Sequence, residues 1–240
     1  MKRFAPLLYL SLFAFQVGAD ESLHTSLKVN FDQHFDSERF EIEEASMGPK
    51  FFISGIEPKE PLSSTSVSAV AEQFAQLNAE LFQTQAPLLL ISDTQRGNVR
   101  HLRFSNSILG LPVYGSDLRF HFRNGELIAA NGHSSTLSPA TYQYMSQWTS
   151  PEELRNDLLD RHDALDQALQ SYGGLQPFDI LNENTLVFDD APHVRHEAEI
   201  TIRRGATRLL VSIDALTGHV ISIEDRINLH RPLPVWGVQQ

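Results

Sequence analysis

The segment Phe104–His133, FSNSILGLPVYGSDLRFHFRNGELIAANGH, constrains this chain more than any other. Its Gly-Leu-Pro-Val-Tyr-Gly stretch reads as a turn, and an antiparallel hairpin follows. Leu118, Phe120 and Phe122 alternate with Arg119, His121 and Arg123, the period of a strand with one buried face. Asn124-Gly125 supplies the two positive φ angles of a tight type I′ turn. Glu126–Asn131 returns and Gly132 closes the element.

Helical periodicity flanks this hairpin on both sides. Ser63-Ser64-Thr65-Ser66 is rich in N-cap residues. Val67, Val70, Ala71, Phe74, Leu77, Leu81 and Phe82 then recur at three- and four-residue intervals, an apolar face suited to core packing. Pro87 ends that helix. Phe51-Phe52-Ile53 reads as a short strand, and Leu88–Ser92 and Val99–Ser105 as two more, joined through Gly97. Ser134–Ser150 has no steady period and reads as a connection. Ser150-Pro151-Glu152-Glu153 opens a second helix with a capping box and a first-turn proline. Leu154, Leu158, Leu165, Ala168 and Leu169 mark its buried face, and Gly173-Gly174 stops it. Beyond Pro177 the strands Leu186–Phe188, Ala198–Ile202, Leu209–Ile213 and Val220–Ile223 follow. The expected fold class is α+β, two small helix-on-antiparallel-sheet domains.

Residues 1–19 read as a signal peptide. Lys2 and Arg3 precede the apolar run Phe4–Phe15, and Val17-Gly18-Ala19 places small residues before a cleavage expected after Ala19. The run is shorter than the roughly 20 residues of a spanning helix, so the expected location is secreted or periplasmic. Those 19 residues hold two of the 19 basic and none of the 30 acidic residues, so the remaining chain carries 17 against 30, a formal −13. Such a charge repels phosphate backbones and anionic lipid, and argues against nucleic-acid and membrane partners. Residues 20–48 are especially acidic and only patchily apolar (Leu27, Val29, Phe31, Phe35, Phe40, Ile42), which suggests an extended arm that packs in part. The chain has no cysteine, which removes disulfides, thiol catalysis and Cys-containing metal sites.

Together these segments resemble the pro-region of thermolysin-type secreted zinc proteases, built of parts called FTP and PepSY. The first half is similar to FTP: the helix Val67–Phe82, then Val99–Phe104 leading into Gly-Leu-Pro-Val-Tyr-Gly. The second is similar to PepSY, ending in Leu209-Leu210-Val211-Ser212-Ile213-Asp214-Ala215-Leu216-Thr217-Gly218. The resemblance spans about residues 60–223. One departure is Ser105-Asn106 after Phe104, where the family usually has glutamine. A larger one is the lack of any His-Glu-x-x-His among the ten histidines, the spacing that aims two imidazoles at one zinc. The resemblance thus implies the folding and inhibitory half of such a protease without the protease.

Sites of chemistry are sparse. His193-x-x-His196-Glu197 is the nearest approach to a metal site, but on a strand its two imidazoles point to opposite faces. Asp160, His162, Asp163 and Asp166 read as a solvated helix face. His101 and His121 lie at polar positions of strands and read as exposed. No Gly-x-Ser-x-Gly elbow is present. The tail from Asn228 carries two alternate prolines, which favour a stiff extended backbone. His230, Arg231, Leu233 and Trp236 there are candidate partner contacts; alternatively the tail folds back and buries Trp236.

The expected organisation is therefore a signal peptide (1–19), an acidic arm (20–48), an FTP-like domain (49–136), a linker (137–149), a PepSY-like domain (150–225) and a Pro-containing tail (226–240). The chain reads as a non-enzyme without cofactor or metal. Its expected role is that of a chaperone or inhibitor for a thermolysin-like metalloprotease. The alternatives are an adaptor with an unrelated partner and the remnant of a precursor whose catalytic part was lost.

Overall fold

A computed structural model describes residues 16–45, 48–62, 66–82, 87–135, 137–171, 178–189, 191–202 and 207–226. Chain order begins with α1 (Gln16–His34), β1 (Phe35–Asp36), β2 (Arg39–Glu43), β3 (Lys50–Ser54), β4 (Glu57–Pro58), α2 (Val67–Leu77) and α3 (Ala79–Phe82). It continues with β5 (Leu88–Arg96), β6 (Val99–Ile108), β7 (Leu111–Pro112), β8 (Asp117–Arg123) and β9 (Glu126–His133). Then come α4 (Pro139–Met145), α5 (Pro151–Asp157), α6 (Arg161–Ser171), β10 (Phe178–Phe188), β11 (His193–Ile202), β12 (Thr207–Asp214) and β13 (Val220–Asp225). Among the described residues no helix is long and apolar enough to cross a membrane.

Two compact units result: Met1–Ser105 with Gly115–Thr136, and Asn106–Tyr114 with Leu137–Gln240. Each is α+β with helices packed on one face of a sheet. In the first unit the sheet order is β2-β3-β9-β8-β6-β5. The hairpin turn forms as the sequence requires, with Asn124 at φ 53° and Gly125 at φ 89°. Leu102, Phe104, Leu118, Phe120, Phe122, Ala130, Phe51 and Ile53 point to one side and meet α1, α2 and α3 in a single core. Ser66 caps α2, its Oγ accepting from the N–H of Ala69 at 3.2 Å.

In the second unit β10-β11-β12-β13 form an antiparallel sheet. Ala198, Ile200, Leu209, Val211, Ile213 and Ile223 pack against Ala164, Leu165, Ala168 and Leu169 of α6. Met145, Trp148 and Leu154 build an adjoining cluster with Val187, Val194 and Ala215.

Four expectations change. Residues 20–34 are not an extended arm: they lie in α1, whose fourth residue is Ala19, and Leu27, Phe31 and the following Phe35 are buried in the core. One apolar residue per turn anchors this helix, a stripe too narrow to show as periodicity. Residues 106–114 belong to the second unit, because Val113 bridges Val187 in parallel and the N–H of Tyr114 donates to the Val187 carbonyl at 2.8 Å. The expected linker contains α4, capped by Ser138 and held by Asp189, whose Oδ1 accepts from the Ser138 N–H at 2.7 Å. Finally, the helix opened by Ser150 breaks at Leu158, which is extended at ψ 138°. Asp160 restarts it as α6 by accepting from the N–H groups of His162 and Asp163 at 2.9 and 3.2 Å.

Candidate functional site

Side chains alternate across a strand, so the first unit's sheet has a second face away from its core. Pairing register places two rows straight across it. One runs Arg103–Arg119–Asn131–Phe52–Glu41 over β6, β8, β9, β3 and β2. The next runs His101–His121–Ala129–Ser54–Arg39 over the same strands. Charge, imidazole and an exposed aromatic ring are thus laid out on a rigid pleated surface.

In the first row two guanidiniums share one carboxylate. Arg103 Nε donates to Asp117 Oδ1 at 2.8 Å, and Arg119 donates to Oδ1 and Oδ2 at 3.3 and 2.6 Å. Partial burial pushes the Asp117 carboxyl up, but the hydrogen bonds from Arg119 and Arg103 outweigh it and leave the pKa below the usual range. At the other end the Arg39 guanidinium lies 4.9 Å over the Phe52 ring and forks onto Glu41 at 2.6 and 2.7 Å.

In the second row the Nδ1 atoms of His101 and His121 lie 2.7 Å apart, with ring planes at 77°. His121 Nε2 lies 2.6 Å from Asn131 Oδ1. An amide oxygen only accepts, so this nitrogen carries the hydrogen, His121 Nδ1 accepts, and His101 Nδ1–H donates. His101 Nε2 is then the lone pair that can take a proton without breaking this chain of bonds. Burial, followed by the neighbouring His121 and Arg96, holds the His101 pKa below the ordinary imidazole value.

The second unit has its own open face. Phe188 is stacked by Tyr114 at 4.2 Å and by His193 at 5.6 Å, with the Arg195 guanidinium 3.8 Å from its centroid. A shallow depression on the sheet of this unit is lined by Asn184, Glu197, Glu199, Arg208 and Arg226 among others. Arg208 pairs with Glu199 at 2.6 Å. Burial pushes the Glu197 carboxyl up, against the pull of Arg195 and Arg226.

The chain is similar in structure to the C-terminal domain of Bacillus megaterium YpeB, at 12% identity over 85% of this chain and 96% of that one, with a TM-score of 0.33. It is also similar to an uncharacterized protein from Eubacterium rectale ATCC 33656, at 11% identity over 88% of this chain and 84% of that one, with a TM-score of 0.35. No family model matches the chain, and no curated protein does. Likenesses this slight carry no function across.

The tail candidates His230, Arg231, Leu233 and Trp236 lie outside the described residues. His193 and His196 point to opposite faces of β11, as alternation requires. His196 is buried, between the hydroxyl of Thr185 at 2.9 Å and the carbonyl of Leu159 at 3.0 Å, whereas His193 is on the Phe188 stack. Asp160 serves as a helix cap and does not join a cluster. Among the described residues no group of three or more His, Cys, Asp or Glu is placed to hold a metal ion. The contact of His101 with His121 corrects the reading of both as merely exposed. Alternation put each histidine on the polar face of its strand, but their pairing depends on the β6–β8 register, which no tight turn in the sequence specifies.

Proposed function

We propose that this chain is a secreted or periplasmic, non-catalytic binding protein that docks the open sheet face of its first unit onto a protein partner. One observation carries the reading: two rows of guanidinium, imidazole, amide and phenyl groups span the strands as a preformed platform. Arginine and aromatic groups concentrate binding energy at interfaces. Side chains fixed on a rigid sheet also lose less freedom on docking than groups on a loop. The resemblance of the hairpin and the Asp-Ala-Leu-Thr-Gly segment to FTP and PepSY parts supports a finer version. In that version the partner is a thermolysin-like metalloprotease, whose folding the chain templates or whose cleft it blocks.

The test adds the purified chain to thermolysin-like enzymes and measures both residual activity and refolding yield. Inhibition or a raised yield is expected. No effect across several such enzymes, together with capture of a non-protease partner, removes the protease role and favours an adaptor.

A further inference from the structure

We infer that the paired rows on the open face of the first unit's sheet receive an extended, carboxylate-rich protein segment, and that acid tightens this contact by adding a proton at His101. The inference deepens the docking reading above and rests on it for the choice of face. Charge is the first argument. The chain as a whole has 30 acidic against 19 basic residues. The two rows and Asp117 reverse that balance, with Arg39, Arg103 and Arg119 against Glu41 and Asp117. Arg39 is matched by Glu41, but Arg103 and Arg119 divide a single carboxylate. One positive charge is left over on guanidiniums that are about half exposed. A planar guanidinium fork with donors to spare is suited to a second carboxylate arriving from outside.

Spacing is the second argument. His101 and Arg103 lie two residues apart on one face of β6, and so do His121 and Arg119 on β8. Same-face positions on a strand repeat at roughly 6.8 Å. An extended segment laid along these strands presents every second side chain at that same repeat. One of its carboxylates therefore meets the Arg103–Arg119 pair while the next meets the imidazoles.

Protonation is the third. The proton adds at His101 Nε2 and leaves the His101–His121 and His121–Asn131 hydrogen bonds in place. Arg96 of β5 acts on His101. By register the charged groups on the neighbouring positions of this face are Arg103 of β6 and Arg119 and Arg123 of β8, with Asp117 beyond, and Arg39 at the far end of the same row. Glu126, opposite Arg123, and His133, directed at the Gly48 carbonyl, come from β9. Burial first, and then His121 and Arg96, makes the proton costly on the free face, and an incoming carboxylate offsets that cost.

The experiment measures binding of fluorescein-labelled octa-aspartate to the full chain by anisotropy at about pH 7.5 and about pH 5, where aspartate stays ionised. Octa-lysine and phosphatidylserine vesicles serve as comparison probes. Octa-aspartate is expected to bind better than octa-lysine and to tighten about fivefold in acid, the effect of one added charge at contact distance in a wet interface. The double variant Arg103→Gln, Arg119→Gln should lose binding at both pH values. His101→Gln should keep the neutral-pH affinity and lose the acid gain. Added salt should weaken binding of the unaltered chain. Equal or better binding of octa-lysine, tighter binding of the vesicles, an unaffected arginine variant or salt-independent binding each overturns the inference. Because the probe contains no protease, these results are independent of whether the protease reading holds.

Discussion

His196 of β11 reaches the carbonyl of Leu159, 3.0 Å from its Nε2, at the break between α5 and α6. Its Nδ1 accepts from the Thr185 hydroxyl, so the neutral imidazole is satisfied on both sides. The same break is tied down by the N–H of Leu159, which donates to the Ala215 carbonyl at 2.9 Å. Burial holds the His196 pKa below the ordinary imidazole value, against the opposing hydrogen bond that His196 donates to the Leu159 carbonyl. The unfolded chain therefore takes up the proton more readily than the folded one. Stability contributed by the neutral histidine is fully present above about pH 6.5 and falls as pH drops through the lower folded value. Urea midpoints measured from pH 8 to 5 should be flat and then decline. His196→Ala should lose about 2–4 kcal/mol at neutral pH, from two hydrogen bonds and a cavity, and should flatten the acid slope. An acid slope equal in the two proteins would contradict this.

Two glycines of β9 and its turn should respond differently to alanine. Gly132 sits at φ 145°, and a Cβ there would lie 1.9 Å from the Asp117 carbonyl oxygen. Relief requires β8 and β9 to separate, so Gly132→Ala should cost well over about 2 kcal/mol. Gly125, at φ 89°, has nothing within 4 Å of its would-be Cβ. Gly125→Ala should cost only the left-handed penalty of about 1–2 kcal/mol. Urea denaturation of both variants checks the ranking.

Phe74 is the hub of the first core. Its ring lies 4.8 Å from Phe35, 5.6 Å from Phe82, 6.0 Å from Phe120 and 6.2 Å from Phe31. It therefore joins α2 to α1, α3 and β8 at once. Phe74→Ala should destabilise by about 3–5 kcal/mol. Phe74→Leu keeps most of the volume and should cost less than about 1.5 kcal/mol beyond the lost ring contacts. Denaturation curves for the pair separate packing volume from aromatic geometry.

Local signals made the sheets legible. Strict alternation at Leu118–Arg123, the Asn124-Gly125 turn and the proline-led helix at Ser150 each specify their own backbone, and each stands where the pattern puts it. Glu153 shows the grain of that legibility: it closes the cap one residue earlier than a capping box requires, accepting from the Thr149 N–H at 2.7 Å. What escaped was non-local. Leu27 and Phe31 become a buried helix face only because a core of phenylalanines waits for them. Likewise Gly110–Tyr114 looks like a plain turn until β10 supplies the bond partner at Val187. The open face of the first sheet was half legible, since its polar positions followed from alternation but the sharing of Asp117 by two arginines needed the register.

Asp214 bears on how far the Asp-Ala-Leu-Thr-Gly segment can speak to function. Its Oδ1 accepts from the N–H groups of Leu216 and Thr217 at 3.0 and 2.8 Å and from the Thr217 hydroxyl at 2.8 Å. Gly218, at φ 75°, completes the turn by donating to the Asp214 carbonyl at 2.9 Å. Each residue of the motif thus has a structural task in the β12–β13 turn, so the motif reports a fold and not a contact surface. Burial pushes the Asp214 carboxyl up, but the bonds from Thr217 and Leu216 prevail and its pKa is lowered. Its contribution is present above the unfolded carboxylate value of about 3.9 and is lost as pH falls through the lower folded value. Asp214→Ala should cost about 1–3 kcal/mol at neutral pH, and the gap to the unaltered chain should narrow as pH falls below the unfolded carboxylate value. It should leave octa-aspartate binding unchanged, because the docking rows lie on the other unit. If the substitution abolished binding while the chain stayed folded, the motif would have to be moved from the scaffold to the interface.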